Sequence, residues 1–199
     1  KFVLNKKEFS SIGINRQTDH PDFGSALPSN LTINDLSTIR RLGFNSMKFT
    51  GFPPEEFTLE MADRTGLASI MSMPLVIDDA LIADKNAIRQ ITRCAKTYLN
   101  SMISMFKNHV SVIAWNIAIV KTKITVDVVK ILNELIGHIR DSIKSSKKIT
   151  ISASNVDDIP ADLAVNFVCV DVGEINDKEE VGKIISDLAQ KVGTSPKPF

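Results

Sequence analysis

The residues in this sequence that could do chemistry are mainly carboxylates placed near the ends of apolar runs. Asp78-Asp79 come soon after the run Leu67–Met71, and Asp171, Glu174 and Asp177 close or follow the run Phe167–Val172. A carboxyl at the C-terminal end of a strand can serve as general acid, general base or nucleophile. For Asp78-Asp79 a plainer reading outweighs that one, a solvated loop pair that caps the helix near Lys85. Asp171 stays a candidate for contact with a ligand, without a catalytic role. Cys94 falls on a helical pattern and Cys169 inside an apolar run, which predicts buried, inert thiols. Glu134 and His138 stand four apart on one helical pattern, short of a two-histidine zinc motif, and predict a surface pair. Two cysteines and three histidines without a cluster argue against a disulfide framework and a structural zinc site. No metal and no cofactor is predicted. Asn30-Leu31-Thr32 fits the glycosylation pattern, yet Thr32 is better used as a helix cap.

The elements that must hold these residues alternate along the chain. Apolar runs recur at Phe9–Ile14, Phe44–Phe49, Leu67–Met71, Val112–Ile117, Ile149–Ala153 and Phe167–Val172. Runs this continuous predict strands covered on both faces, as in a parallel sheet. Between them lie helical patterns. Thr32 caps the first, whose inward face is Ile33, Leu36, Ile39 and Leu42, with Gly43 as its stop. Pro53-Pro54 precede the second, which carries Phe57, Leu59, Met61 and Ala62 and closes at Gly66. Further helices are predicted over about Lys85–Phe106, Val126–Ile143 and Glu179–Val192. A strand–helix repeat of this kind gives either a doubly wound sheet or a (β/α) barrel. Ser11-Ile12-Gly13-Ile14-Asn15 has one glycine and no dinucleotide fingerprint, which favours the barrel.

The 199 residues suit one domain. A closed barrel takes about 250 residues, so the chain predicts a TIM-type barrel with only its first six βα units present. It starts at Lys1 and stops at Ser195-Pro196-Lys197-Pro198-Phe199, which is read as a piece of a longer polypeptide. Lys plus Arg total 24 against 23 for Asp plus Glu, a net charge of +1. That balance gives no electrostatic case for nucleic acid or an anionic membrane. The longest nearly apolar run, Leu67–Ile77, is too short for a membrane span, which needs about 20 residues.

Five ordered segments resemble the catalytic barrel of glycoside hydrolase family 2, which holds β-galactosidases, β-glucuronidases and β-mannosidases. Leu4-Asn5-Lys6-Lys7-Glu8-Phe9 resembles its "L-N-G-K-x-F" hairpin. Gly13-Ile14-Asn15-Arg16-Gln17-Thr18-Asp19-His20-Pro21 resembles "G-x-N-R-H-E-D-H-P". Asp35-Leu36 with Gly43-Phe44-Asn45-Ser46-Met47-Lys48 resembles "D-L-x-x-M-K-x-x-G-F-N-A-V-R". Leu59–Leu67 resembles "L-C-D-E-x-G-L", and Asn108-His109-Val110-Ser111-Val112-Ile113-Ala114-Trp115-Asn116 resembles "N-H-P-S-V-I-x-W-S". The resemblance covers nearly the whole chain and implies the family's barrel.

It also implies where the chemistry would be. The family's strand motif continues "W-S-L-G-N-E", in which the Glu is the acid/base and the Asn binds the substrate 2-hydroxyl. Here Ile119 stands at that Asn and Val120 at that Glu. The nucleophile follows a "K-P" resembling Lys197-Pro198, where this chain ends. The family's "S-H-Y-P" is Thr50-Gly51-Phe52-Pro53, its "D-E" is Met71-Ser72, and its "H-E-D-H" is Gln17-Thr18-Asp19-His20. Retaining hydrolysis needs two carboxyl groups about 5–5.5 Å apart, and isoleucine and valine can neither donate nor accept the proton. The expectation is a degenerate, non-catalytic barrel domain with a structural, interaction or weak carbohydrate-binding role. The alternative is an active retaining β-glycosidase whose carboxylates lie outside this chain or come from other residues. Candidate cleft residues are Asn15, Arg16, Asp19, His20, Trp115, Asn116 and Asp171. In active members the Arg at position 16 braces the carboxylates; here a structural role is favoured for it. Trp115 either stacks a sugar or packs. A binding role predicts an open polar pocket floored by Trp115 and Arg16; an interaction role predicts a mouth filled by Phe49, Phe52, Ile119 or Val120. Partners implied are carbohydrate, and other domains of the parent chain or a protein that covers the open barrel edges.

Overall fold

Asn5 and Lys6 both take left-handed backbone angles, φ 51° and 64°, and so close a two-residue turn whose twist suits a hairpin. The turn joins β1 (Val3–Leu4) to β2 (Lys7–Glu8), in register Val3 with Glu8 and Leu4 with Lys7. The computed structural model describes residues 3–17, 19–154, 159–160, 162–170 and 186. Asp171, Glu174, Asp177, Lys197-Pro198 and, apart from Ser186, the predicted helix Glu179–Val192 lie outside the described residues. The chain divides into two units, residues 1–72 with 106–114 and residues 73–105 with 115–199. Each is taken by itself.

The first unit is a run of parallel strands in chain order. β3 (Gly13–Arg16) pairs with β4 (Ser46–Phe49), Gly13 against Ser46 and Arg16 against Phe49. β4 pairs in turn with β5 (Ala68–Ser72), Ser46 against Ala68 and Phe49 against Met71. The strand expected at Phe9–Ile14 thus starts only at Gly13. Ahead of it the Asn45 side chain takes over the ladder's role, accepting from Ile12 N–H at 2.8 Å and donating to the Ser10 carbonyl at 2.7 Å. Gly13 lies so close to β4 that a Cβ there would fall 2.2 Å from Ser46 Oγ and 2.5 Å from its carbonyl oxygen.

Helix α1 (Ser29–Arg41) starts after Pro28 rather than at Thr32. The fixed φ of Pro28 sets up the first turn, and Thr32 is drawn inside it. The buried stripe is Thr32, Leu36 and Ile39, which share one helical face, while Ile33, about 100° around from Thr32, and Leu42, at the C-cap, are exposed. The glycosylation pattern Asn30-Leu31-Thr32 is therefore wound into a helix with its threonine buried. Gly43 ends α1 as expected, at φ 90°, with Phe44 N–H on the Ile39 carbonyl and Gly43 N–H on that of Arg40, the paired closure of a Schellman motif. Helix α2 (Glu56–Thr65) buries Thr58, Leu59 and Ala62 and stops at Gly66. Leu36, Met47, Phe49, Leu59, Leu67 and Met71 form this unit's core, each contributing about 1.5–3 kcal/mol of burial.

The second unit holds β6 (Val76–Ile77), α3 (Asp79–Ala83), α4 (Lys85–Phe106, whose last residue belongs to the first unit) and α5 (Val126–Gly137). Strand β7 (Val112–Val120) starts in the first unit and ends here. β6 runs parallel to it, Val76 against Ile119 and Ile77 against Val120. β8 (Lys148–Ala153) follows β7 and pairs with β9 (Phe167–Val170), Ser152 against Cys169. The helix expected over Val126–Ile143 stops at Gly137 and continues as a wider, π-type turn, His138–Ile143. That turn aims Arg140 at the carbonyls of Ser145 (2.6 Å) and Lys147 (2.8 Å) and at Asn166 Oδ1 (3.1 Å).

Two expectations about α4 and α5 are corrected. Cys94 is exposed, because the buried stripe of α4 runs through Thr92, Ala95, Leu99, Met102 and Ile103 and leaves it on the outer flank. Cys169 is half-buried, 3.6 Å from Thr150 Oγ1. Glu134 and His138 do not pair with each other. Glu134 takes Lys96 Nζ at 2.7 Å and His138 Nε2 meets Asn100 Oδ1 at 2.9 Å, so the first ties α5, and the second the π-type turn, to α4. No helix among the described residues is long and apolar enough to cross a membrane.

Candidate functional site

In the first unit the candidates lie at and just beyond the end of β3. Arg16 shares a face with its register partner Phe49, and only 7% of it is exposed. Its Nη2 donates to Asp35 Oδ2 on α1 at 3.0 Å, while Nη1 is buried without a partner among the described residues. The guanidinium fastens strand to helix. Asp35 is part of the second motif, but nothing local in the sequence joins it to a residue nineteen positions earlier. Asn15 alternates to the other face of β3, level with Lys48, and is exposed. Asp19 is exposed as well. His20 sits in a turn closed by mutual backbone bonds with Gly24. Its Nδ1 accepts from Asp22 N–H at 3.1 Å, and its ring lies 5.1 Å from that of Phe23. Among the described residues no hydrogen bond or ion pair joins Asn15, Arg16, Asp19 and His20 to one another. Phe49 is buried and Phe52 exposed.

In the second unit the candidates follow the alternation of β7. Trp115, Ile117 and Ile119 face one way, and Asn116, Ala118 and Val120 the other. Trp115 is 0% exposed and its Nε1–H donates to Ser145 Oγ at 2.9 Å. Of the two uses open to it, packing is the one this geometry serves, since no face of the ring is accessible. Asn116 is fully buried and donates from Nδ2 to Ser152 Oγ at 2.7 Å, leaving its Oδ1 unpartnered. Val120 is 1% exposed and lies against Ile77. Asp78 and Asp79 do not cap the helix at Lys85. Asp78 caps α3 through Leu81 N–H at 2.9 Å, and Asp84 caps α4 through Asn86 and Ala87 N–H at 2.8 and 3.1 Å. Asp79 accepts from Thr122 Oγ1, which sets one exposed carboxylate two residues beyond Val120. Among the described residues no three His, Cys, Asp or Glu side chains gather as metal ligands.

The start of β7 is built quite differently. Asp63, in the last turn of α2, takes His109 Nδ1 on Oδ2 at 2.8 Å and Ser111 N–H on Oδ1 at 2.7 Å. Ser111 in turn offers its carbonyl to Ser69 N–H of β5 at 2.7 Å. Burial pushes the Asp63 carboxyl up, but hydrogen bonds from Ser111 and the bond and charge of His109 outweigh it and hold the group below its ordinary value. The sequence motifs at Leu59–Leu67 and Asn108–Ser111 are therefore two halves of one clasp, a relation that neither motif reveals alone.

Comparison with known proteins bears on the family and the fold. The family model "Glycosyl hydrolases family 2, TIM barrel domain" matches residues 1–193. The β-glucuronidase of Sus scrofa is 24% identical over 170 residues, 85% of this chain and 25% of that protein. The β-glucuronidase of Mus musculus is 27% identical over 118 residues, 59% of this chain and 18% of its own length. This chain thus spans a quarter or less of those relatives. Among solved structures, a β-glucuronidase from an uncultured Clostridium sp. superposes with a TM-score of 0.84 at 23% identity, covering 100% of this chain and 36% of that one. A β-galacturonidase from Eisenbergiella tayi bound to galacturonate gives 0.78 at 22%, covering 99% and 36%. The fold is the TIM-type (β/α) barrel, of which this chain carries the leading βα units.

Proposed function

The chain belongs to glycosyl hydrolase family 2 by its TIM barrel domain, and from that premise we propose that it is a non-catalytic member with a scaffolding or interaction role. The observation that carries this reading is Val120. It stands where the family's resemblance puts the acid/base, at the end of β7, and it is a buried aliphatic side chain packed on Ile77. Retaining hydrolysis protonates the leaving oxygen with one carboxyl and attacks the anomeric carbon with another. Loss of general acid catalysis alone costs about 10²–10⁴-fold. The other candidate residues, each within its own unit, support the same reading. Arg16 is held by Asp35, Trp115 offers no ring face, and Ile119 replaces the residue that would bind a sugar hydroxyl. Trp115 and Ile119 offer no polar group to a substrate, and Arg16 keeps only its buried Nη1 unpartnered among the described residues.

Asp79 bonds to Thr122, two residues past Val120, and it is where a rescue acid would be sought. The test is hydrolysis of aryl β-glucuronide, β-galactoside, β-mannoside and β-glucoside by the full-length parent, beside a Val120→Glu variant. No turnover by the unmodified protein is expected. Turnover by it, abolished by Asp79→Asn, would overturn the proposal. Activity gained only in Val120→Glu would mean that a nucleophile persists beyond this chain and the acid alone was lost.

A further inference from the structure

The segments that enter the strands of the first unit share an unusual surface. Ile12, just before β3, is 59% exposed; Leu42, between α1 and β4, is 67%; and Val110, just before β7, is 79%. Neighbouring strands stand about 4.8 Å apart. Ile12 and Asn45 bond to each other, as do Ser69 and Ser111. These three aliphatic side chains therefore lie along one rim roughly 15 Å long. The same segments carry Arg40, Arg41, Arg64 and Lys107. Arg40 reaches the Phe44 carbonyl at 3.4 Å. Arg41, Arg64 and Lys107 are exposed and have no hydrogen-bond or ion-pair partner among the described residues. Of the carboxylates in these segments, Asp63 is already held by His109 and Ser111, and Glu8 is engaged in an interaction of its own. A cation in the last turn of a helix is explained by the helix dipole. That does not explain why exposed aliphatic residues are interleaved with cations that lack partners, on a chain whose net charge is only +1.

We propose that this rim is a docking surface for a separate protein, one that presents an acidic segment with apolar side chains. The free cations would pair with its carboxylates and speed encounter, while Ile12, Leu42 and Val110 would bury against its apolar residues. An anionic membrane fits less well. The rim has no Trp or Tyr, the residues that favour the lipid–water interface, and the chain's one Trp is buried. The rim lies at the start of β7, not at its end, so the proposal stands or falls independently of glycosidase activity.

The test is fluorescence anisotropy of the full chain with a fluorescein-labelled peptide of glutamate and leucine in equal parts. Saturable binding is expected, with about tenfold weakening in Leu42→Ser/Val110→Ser and again in Arg41→Glu/Arg64→Glu. Hydrogen exchange of the unmodified chain should show new protection at residues 40–45 and 107–111 on binding, a readout that needs no variant to fold. Three results would each overturn the proposal. One is an affinity untouched by either double variant. Another is equal binding of a glutamate–serine peptide. The third is the absence of peptide binding while vesicles of equal parts phosphatidylserine and phosphatidylcholine protect the same residues.

Discussion

The two ends of β7 share one strand and differ in every chemical respect. At its start, Asp63, His109 and the Ser111 backbone, all of them in segments that resemble the family's pattern, converge in bonds of 2.7–2.8 Å. At its end, Ile119 and Val120 pack on the β6 residues Val76 and Ile77, and the polar residues of the pattern are gone. A barrel needs the first arrangement to fold and the second position only to catalyse. An intact fastening beside a valine at the position of the acid/base supports the proposal of a non-catalytic member. In the barrels of this class, the N-terminal face serves stability and the C-terminal face serves the reaction.

This contrast can be broken or sharpened by substitution. The largest effect is expected on the fastening side. Gly13→Ala would drive a methyl group into Ser46, whose backbone cannot yield cheaply, and should cost about 3 kcal/mol in urea denaturation. A loss below about 0.5 kcal/mol would mean that β3 and β4 can separate without penalty. Asp63→Ala should cost about 2 kcal/mol, since it orphans the Ser111 N–H and removes the carboxylate from His109. A neutral outcome would reduce the clasp to a surface contact.

The clasp also predicts a pH dependence. The Asp63 carboxyl is held below its unfolded value, so its stabilisation is fully present above about pH 4 and is lost as pH falls through the folded value. The gap in stability between the unmodified chain and Asp63→Asn should therefore be constant near neutrality and narrow below pH 4. A gap that widens on acidification would contradict the sign. The smallest effect is at the hairpin. Lys6 holds φ 64° where the resembling pattern has glycine. Lys6→Gly should stabilise by about 0.5 kcal/mol, the left-handed strain relieved outweighing the added chain entropy.

Much of this fold was legible in the chain because its signals are local. The apolar runs gave the parallel strands and their order, and Gly43 and Gly66 marked the helix ends where positive φ is required. What escaped was tertiary. Thr32 has the chemistry of a cap, yet α1 starts after Pro28, which leaves Thr32 within the helix on the buried face of Leu36 and Ile39. Cys94 lies one step off the stripe of α4, too little for periodicity to resolve. The partners of Arg16, Asn116 and Trp115 (Asp35, Ser152 and Ser145) are small polar residues far along the chain, and no spacing rule joins them. At the candidate site, what the sequence could offer was the residue missing at position 120. The structure adds that Asn116, on the same strand, gives its Nδ2 to Ser152 and keeps Oδ1 unpartnered among the described residues.

The most direct measurement is the turnover of 4-nitrophenyl β-D-glucuronide by the unmodified full-length protein, followed long enough to resolve a rate well below that of an active glycosidase. A rate indistinguishable from the protein-free solution is predicted. Saturable release of 4-nitrophenolate that disappears with Asp79→Asn would contradict the account, because it would place a working acid beside a strand end argued to have none.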